Sequence, residues 1–128
     1  MRILLDTRLL LWAMAASQKL PRAIKSQLLD PGNEVYYSAA SVWEIAIKRG
    51  LRRARFRIDI ADLLNALRES GFLELPVDAR HAATVAHLPP IHKDPFDRLL
   101  VAQSMAEPMT LLTNDKIVAE YWDGAKLV

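Results

Sequence analysis

The sequence predicts an α/β domain, with a mainly parallel sheet and helices packed on both of its faces. Two observations predict it. Short segments of strand length alternate with longer stretches of helical pattern along the 128 residues, the order that builds parallel sheets through helical crossovers. The strand segments are also largely apolar, as strands covered on both faces are. At this length the chain is expected to form a single domain, residues 1–128, with a core of useful size. Its composition, 52% hydrophobic and 25% charged, is that of an ordinary globular protein.

The elements follow in order. Residues 2–5 read as a short buried strand ending at Asp6-Thr7, with Thr7 suited to cap the next helix. That helix carries Leu9, Leu10, Leu11, Trp12 and Ala13, which leave little polar face. Residues 18–20 break it, and Pro21 opens a second helix through about Leu29. Asp30-Pro31-Gly32-Asn33 is a turn, and 34–37 is a second strand rich in Val and Tyr. Ser38-Ala39-Ala40-Ser41 leads into a helix that Gly50 can stop. Residues 59–70 form a helix with Ile60, Leu63, Leu64 and Leu67 on one face, closed by Gly71. A short strand at 72–75, a helix at 78–87 and an extended Leu-Pro-Pro-Ile connector come next. Asp94 then reads as an N-cap with Pro95 at the first helical position. The apolar helix so begun ends at Glu107-Pro108, and 109–112 is a strand. Thr113-Asn114-Asp115 closes that strand and starts a short helix through about Tyr121. Residues 125–128 make a final edge strand. The three Trp and the Leu-rich runs fit buried helices.

Composition excludes several classes. With no cysteine there is no disulfide framework, thiolate metal site or cysteine nucleophile, which fits a cytoplasmic protein. The first apolar run is too short for a signal peptide and is interrupted by Asp6. No segment approaches the roughly 18 apolar residues of a membrane span. The four glycines form no phosphate-binding loop, and no GxSxG elbow is present. Net charge is only +2, but Lys48, Arg49, Arg52, Arg53, Arg55 and Arg57 form a cationic run without an acid. Such a run suits a phosphate backbone, or else a solvated helix end and loop.

Acids carry the chemistry. Asp94 and Asp97 lie one turn apart at a helix start, where capping alone would explain them. Asp6 and Asp115 end strands, and in a parallel sheet ligands bind at the carboxyl ends of strands, so these two belong on one rim. Glu44 is harder to explain locally. It completes a capping box with Ser41 or lies further along a largely apolar helix, where a carboxylate costs several kcal/mol unless paired or metal-bound. Carboxylates gathered on one rim repel, so they protonate or share a cation. With oxygen donors only, that cation is Mg²⁺ or Mn²⁺ rather than zinc. His81, His87 and His92 show no metal spacing with the acids and read as surface or connector residues. Metal-assisted phosphodiester hydrolysis, with the cationic run on a nucleic-acid backbone, is the matching reaction.

The runs LLDT (4–7), SVWEIAIK (41–48), HKDPFDRLLVAQ (92–103) and LLTND (111–115) together resemble a PIN-domain protein. More narrowly they resemble the VapC-type toxins of bacterial toxin–antitoxin pairs. The resemblance runs from near Leu4 to the C-terminus. It implies an α/β/α fold and a Mg²⁺-dependent ribonuclease acting on single-stranded RNA, with Asp6, Glu44, Asp97 and Asp115 as the catalytic, metal-holding quartet. Asp94 belongs to the same DPFD pattern in a capping or outer role. Thr7, Thr113 and Asn114 would support the carboxylates, and Arg8, Lys48, Arg49, Arg52, Arg53 and Arg55 would meet RNA. Arg8 departs from the pattern, standing where relatives often carry His. The resemblance also implies a homodimer and a VapB-type antitoxin that covers the site. A non-catalytic RNA- or protein-binding module is the competing reading. A phosphatase or phosphoacceptor domain ranks below it, because Thr7-Arg8 rather than a second acid follows Asp6.

Overall fold

A computed structural model of the chain describes residues 1–50 and 58–128. Among these, five strands and seven α-helices alternate: β1 (Arg2–Leu5), α1 (Thr7–Met14), α2 (Arg22–Leu29), β2 (Glu34–Ser38), α3 (Ala39–Gly50), α4 (Ile60–Ser70), β3 (Leu73–Leu75), α5 (Ala79–Thr84), α6 (Pro95–Ala106), β4 (Thr110–Thr113), α7 (Lys116–Ala119) and β5 (Ala125–Leu127). All strand pairs are parallel, in the order β3-β2-β1-β4-β5.

The pleat divides the apolar residues between two cores. Ile3 and Leu5 of β1, Val35 of β2 and Leu112 of β4 face α1, α2 and α4 through Leu9, Leu10, Ile24, Leu63 and Leu67. Their neighbours Leu4 and Leu111 face the opposite way, onto Leu100, Val101 and Ala102 of α6 and Val118 of α7. Successive side chains point to opposite faces, so apolar strands with no polar alternation require a helical layer on each side. The result is the predicted three-layer α/β/α sandwich. No helix among the described residues is long and apolar enough to cross a membrane.

Helix ends obey local chemistry. Asp59 caps α4 by accepting from the Ala61 and Asp62 amides, and Gly71 closes it at φ 79°, a conformation a side chain resists. Asp30 Oδ1 accepts from the Gly32 amide at 2.8 Å, which fixes the turn before β2. Four expectations are corrected. Asp6, not Thr7, is the cap of α1, because its carboxylate accepts the Leu9 amide while Thr7 is already helical. The helix expected over 78–87 gives way to a 3₁₀ turn at Val85–His87. Leu64, assigned to the apolar face of α4, is 44% exposed, since the contact stripe is Ile60, Leu63 and Leu67. Trp43 is 59% exposed and packs edge-on against Phe96 with ring centroids 5.1 Å apart.

The chain begins in the middle of the sheet, winds outward through β2 and β3, and returns to place β4 on the other side of β1. The crevice between diverging connections at such a switch point is where α/β sheets bind ligands. It lies at the ends of β1 and β4, where Asp6 and Asp115 emerge.

Candidate active site

Asp6 leaves β1 and caps α1. Its Oδ1 accepts the Leu9 amide at 2.8 Å, and its Oδ2 accepts the Thr113 hydroxyl at 2.7 Å and the Asn114 amide at 3.3 Å. The pairing of β1 with β4 makes this contact, so Thr113 and Asn114 both donate to Asp6. Burial pushes the Asp6 carboxyl above its ordinary value, against these donors and the Arg8 charge, which pull it down.

Glu44 is buried on α3 and is not a capping-box residue, since the helix starts at Ala39. The Thr7 hydroxyl meets its Oε1 at 2.7 Å, and the Lys48 ammonium, one turn on, pairs with its Oε2. Thr7 Oγ1 also lies 2.9 Å from Ser41 Oγ. The buried charge thus has the partners its burial demands.

Asp94 caps α6 through the Phe96 and Asp97 amides, at 2.8 and 3.2 Å. Asp97, on the first turn, is left facing other acids. Burial first, then the charges of Asp94 and Glu44, with Asp6 adding to them, push its carboxyl up to about 7; the nearby His92 ring offsets only part. Asp115 caps α7 through the Ile117 amide at 2.8 Å. Burial raises its carboxyl, but the His92 hydrogen bond and the Ile117 amide outweigh it and hold the group below the usual carboxylate range.

The histidines correct the sequence reading. His92 is part of the site: its Nε2 lies 3.0 Å from Asp115 Oδ2 and 3.2 Å from Asp97 Oδ2. Asp97 stands five positions away and Asp115 23, and only the fold brings the second within reach. His81 is 1% exposed rather than superficial. It joins α5 to the end of α6, with Nδ1 accepting the Asp78 amide at 3.1 Å and Nε2 2.6 Å from Glu107 Oε2. His87 is exposed, as expected.

Together Asp6, Thr7, Arg8, Glu44, Lys48, His92, Asp94, Asp97, Asn114, Asp115 and Lys116 line one cleft of about 500 Å³. Thr113 is buried beneath it. Arg49 is half-buried near the end of α3, outside this lining. Arg52, Arg53 and Arg55, with Arg57, lie outside the described residues. Lys116 is a cation the sequence reading missed. Its signal was its place directly after Asp115, at the first position of α7. The donor set fits a hard divalent cation: carboxylate oxygens converge, and Asp97 is raised in part by the neighbouring charges that such an ion would neutralise. His92, Asp97 and Asp115 each offer a donor atom within 4.8 Å of the others.

A parallel α/β/α sheet with an acidic cleft at its switch point defines a class, and the family model of the PIN domain matches residues 3–122. The chain belongs to the PIN-domain family, whose members are typically metal-dependent nucleases. Its fold is similar to that of VapBC2 from Rickettsia felis bound to a DNA fragment from their promoter, with a TM-score of 0.71, 18% identity, and coverage of 100% of this chain and 98% of that one. It is similar also to FitAcB from Neisseria gonorrhoeae, with a TM-score of 0.62, 22% identity, and coverage of 91% and 89%. A FitAB structure bound to an IR36 DNA fragment aligns with a TM-score of 0.56 at 22% identity, covering 93% and 91%. No curated protein matches the chain in sequence.

Proposed function

We propose that this chain is a Mg²⁺-dependent endoribonuclease that cuts single-stranded or loop RNA, and the toxin of a type II toxin–antitoxin pair. The observation that carries this reading is the convergence of Asp6, Glu44, Asp97 and Asp115 in one cleft at the switch point of the sheet. When bound there, Mg²⁺ or Mn²⁺ supplies the neutralising charge and the activated water that phosphodiester hydrolysis needs. Asp6, Asp97 and Asp115 would hold the ion, with Glu44 as the fourth acid. The protein's own part is preorganisation: Thr113 and Asn114 orient Asp6, Thr7 and Lys48 orient Glu44, and helix starts fix Asp94 and Asp115. Arg8, Lys48 and Lys116 offset the repulsion a phosphate backbone would meet at the acids.

The fold likeness to VapBC2 and FitAB complexes supports a VapB-type antitoxin as partner. A homodimer of single-domain chains, in the cytoplasm, completes the reading. It is tested by incubating the antitoxin-free chain with a pool of cellular RNA, in Mg²⁺ and in EDTA, beside Asp97→Asn. Cutting in Mg²⁺ alone, reduced by at least 100-fold in the variant, is expected. A folded chain that leaves the pool intact under Mg²⁺ and Mn²⁺ alike would favour the non-catalytic binding module.

A further inference from the structure

We propose that His92 is a positioning residue that sets the divalent-cation affinity of the cleft by holding Asp97 and Asp115 on one shared N–H, and that Arg98 and Tyr121 fix it there. The proposal rests on the metal-dependent reading of the cleft.

The connector before α6 contains Pro89 and Pro90, which lack N–H donors and cannot join a regular ladder. Arg98 ties it down instead. Its Nη1 donates to the Pro89 carbonyl at 2.9 Å and to Tyr121 Oη at 3.1 Å, and its Nη2 donates to the Val85 carbonyl at 3.3 Å. Tyr121 Oη accepts the His92 backbone N–H at 2.9 Å. The ring is then oriented by its other nitrogen: Nδ1 accepts the Asp94 amide at 3.1 Å. A nitrogen that accepts carries no proton, so the ring proton sits on Nε2. That N–H points between Asp97 Oδ2 and Asp115 Oδ2, at 3.2 and 3.0 Å.

The arrangement closes on itself. Arg98 follows Asp97 on α6, and Tyr121 lies just past α7, whose cap is Asp115. The side chains that pin the His92 backbone therefore come from the two segments whose carboxylates His92 bridges. Without the bridge, mutual repulsion splays the two acids, and Asp97 Oδ1 and Asp115 Oδ1, the latter already accepting the Ile117 amide, no longer converge on an ion. Outer donors that orient ligating groups change metal affinity by about 10- to 100-fold.

The test is a Mn²⁺ titration of the antitoxin-free full chain, by calorimetry or electron paramagnetic resonance, with folding checked by thermal melting in EDTA. His92→Ala should bind Mn²⁺ about 10- to 100-fold more weakly. His92→Gln, whose amide N–H reaches the position of Nε2, should recover most of the loss, and Tyr121→Phe should fall between. A His92→Ala variant that binds as tightly as the unsubstituted chain, or more tightly, overturns the proposal. Equal losses in His92→Ala and His92→Gln also overturn it, because they would make His92 a ligand itself. If the unsubstituted chain binds no Mn²⁺, the metal-dependent reading falls and this proposal with it.

Discussion

Asp97 shows how one side chain carries both the strain and the chemistry of the cleft. Its carboxyl is raised from 3.8 to about 7, so the folded state holds the proton more tightly than the unfolded chain. Ionisation therefore costs the native state; the cost is complete above about pH 7 and fades as pH falls towards 3.8. At about 1.4 kcal/mol per pH unit, the whole interval is worth roughly 4 kcal/mol. In EDTA, the melting temperature should fall between pH 5 and pH 8, and Asp97→Asn should flatten that fall and melt several degrees higher at pH 8. A pH profile identical in the two proteins would remove Asp97 as the source. Glu44 was legible beforehand because a carboxylate between Trp43 and Ile45 needs a partner. Its partner Thr7, 37 positions away, was named only through the family resemblance and not by any local rule. His92 was missed because the fold is needed to bring its second acid, Asp115, 23 positions away, beside the nearby Asp97.

At the scale of elements, helix starts and stops were the most readable part of the sequence, because caps act over three or four residues. Asp59, Asp94 and Gly71 sit where local rules put them. Gly71 allows a direct check. A Cβ there would touch nothing within 4 Å, so Gly71→Ala meets only the backbone penalty of φ 79°. It should cost about 1 kcal/mol, read as a lower denaturation midpoint with unchanged slope. What local rules could not supply was exposure. Leu64 fits the period of α4 as well as Leu67 does, yet only the packed sheet decides which of them it covers. His81 likewise looked like a connector residue until α5 was set against Glu107 at the end of α6.

For the molecule as a whole, alternating apolar strands and helices were enough to place Asp6 and Asp115 on one rim. They were not enough to order the strands. The adjacency of β1 and β4 delivers the Thr113 hydroxyl to Asp6, and nothing in the sequence marks that pairing. If the cleft holds a divalent ion in the folded state alone, Mg²⁺ or Mn²⁺ should raise the melting temperature by mass action. The gain is about 2.7 kcal/mol at an ion concentration 100 times the dissociation constant. The same titration on Asp97→Asn should show a smaller rise, and equal rises would place the ion elsewhere.

Three of the cleft acids, Asp6, Asp94 and Asp115, also start helices α1, α6 and α7. A lineage that abandoned the chemistry would still be selected to keep these three, because losing a cap costs about 1 kcal/mol. Glu44 and Asp97 start no helix, and Asp97 is under electrostatic strain. Among descendants of this chain, decay of activity should therefore be written first at positions 44 and 97, while an intact acid at 6, 94 or 115 records only that the protein still has to fold.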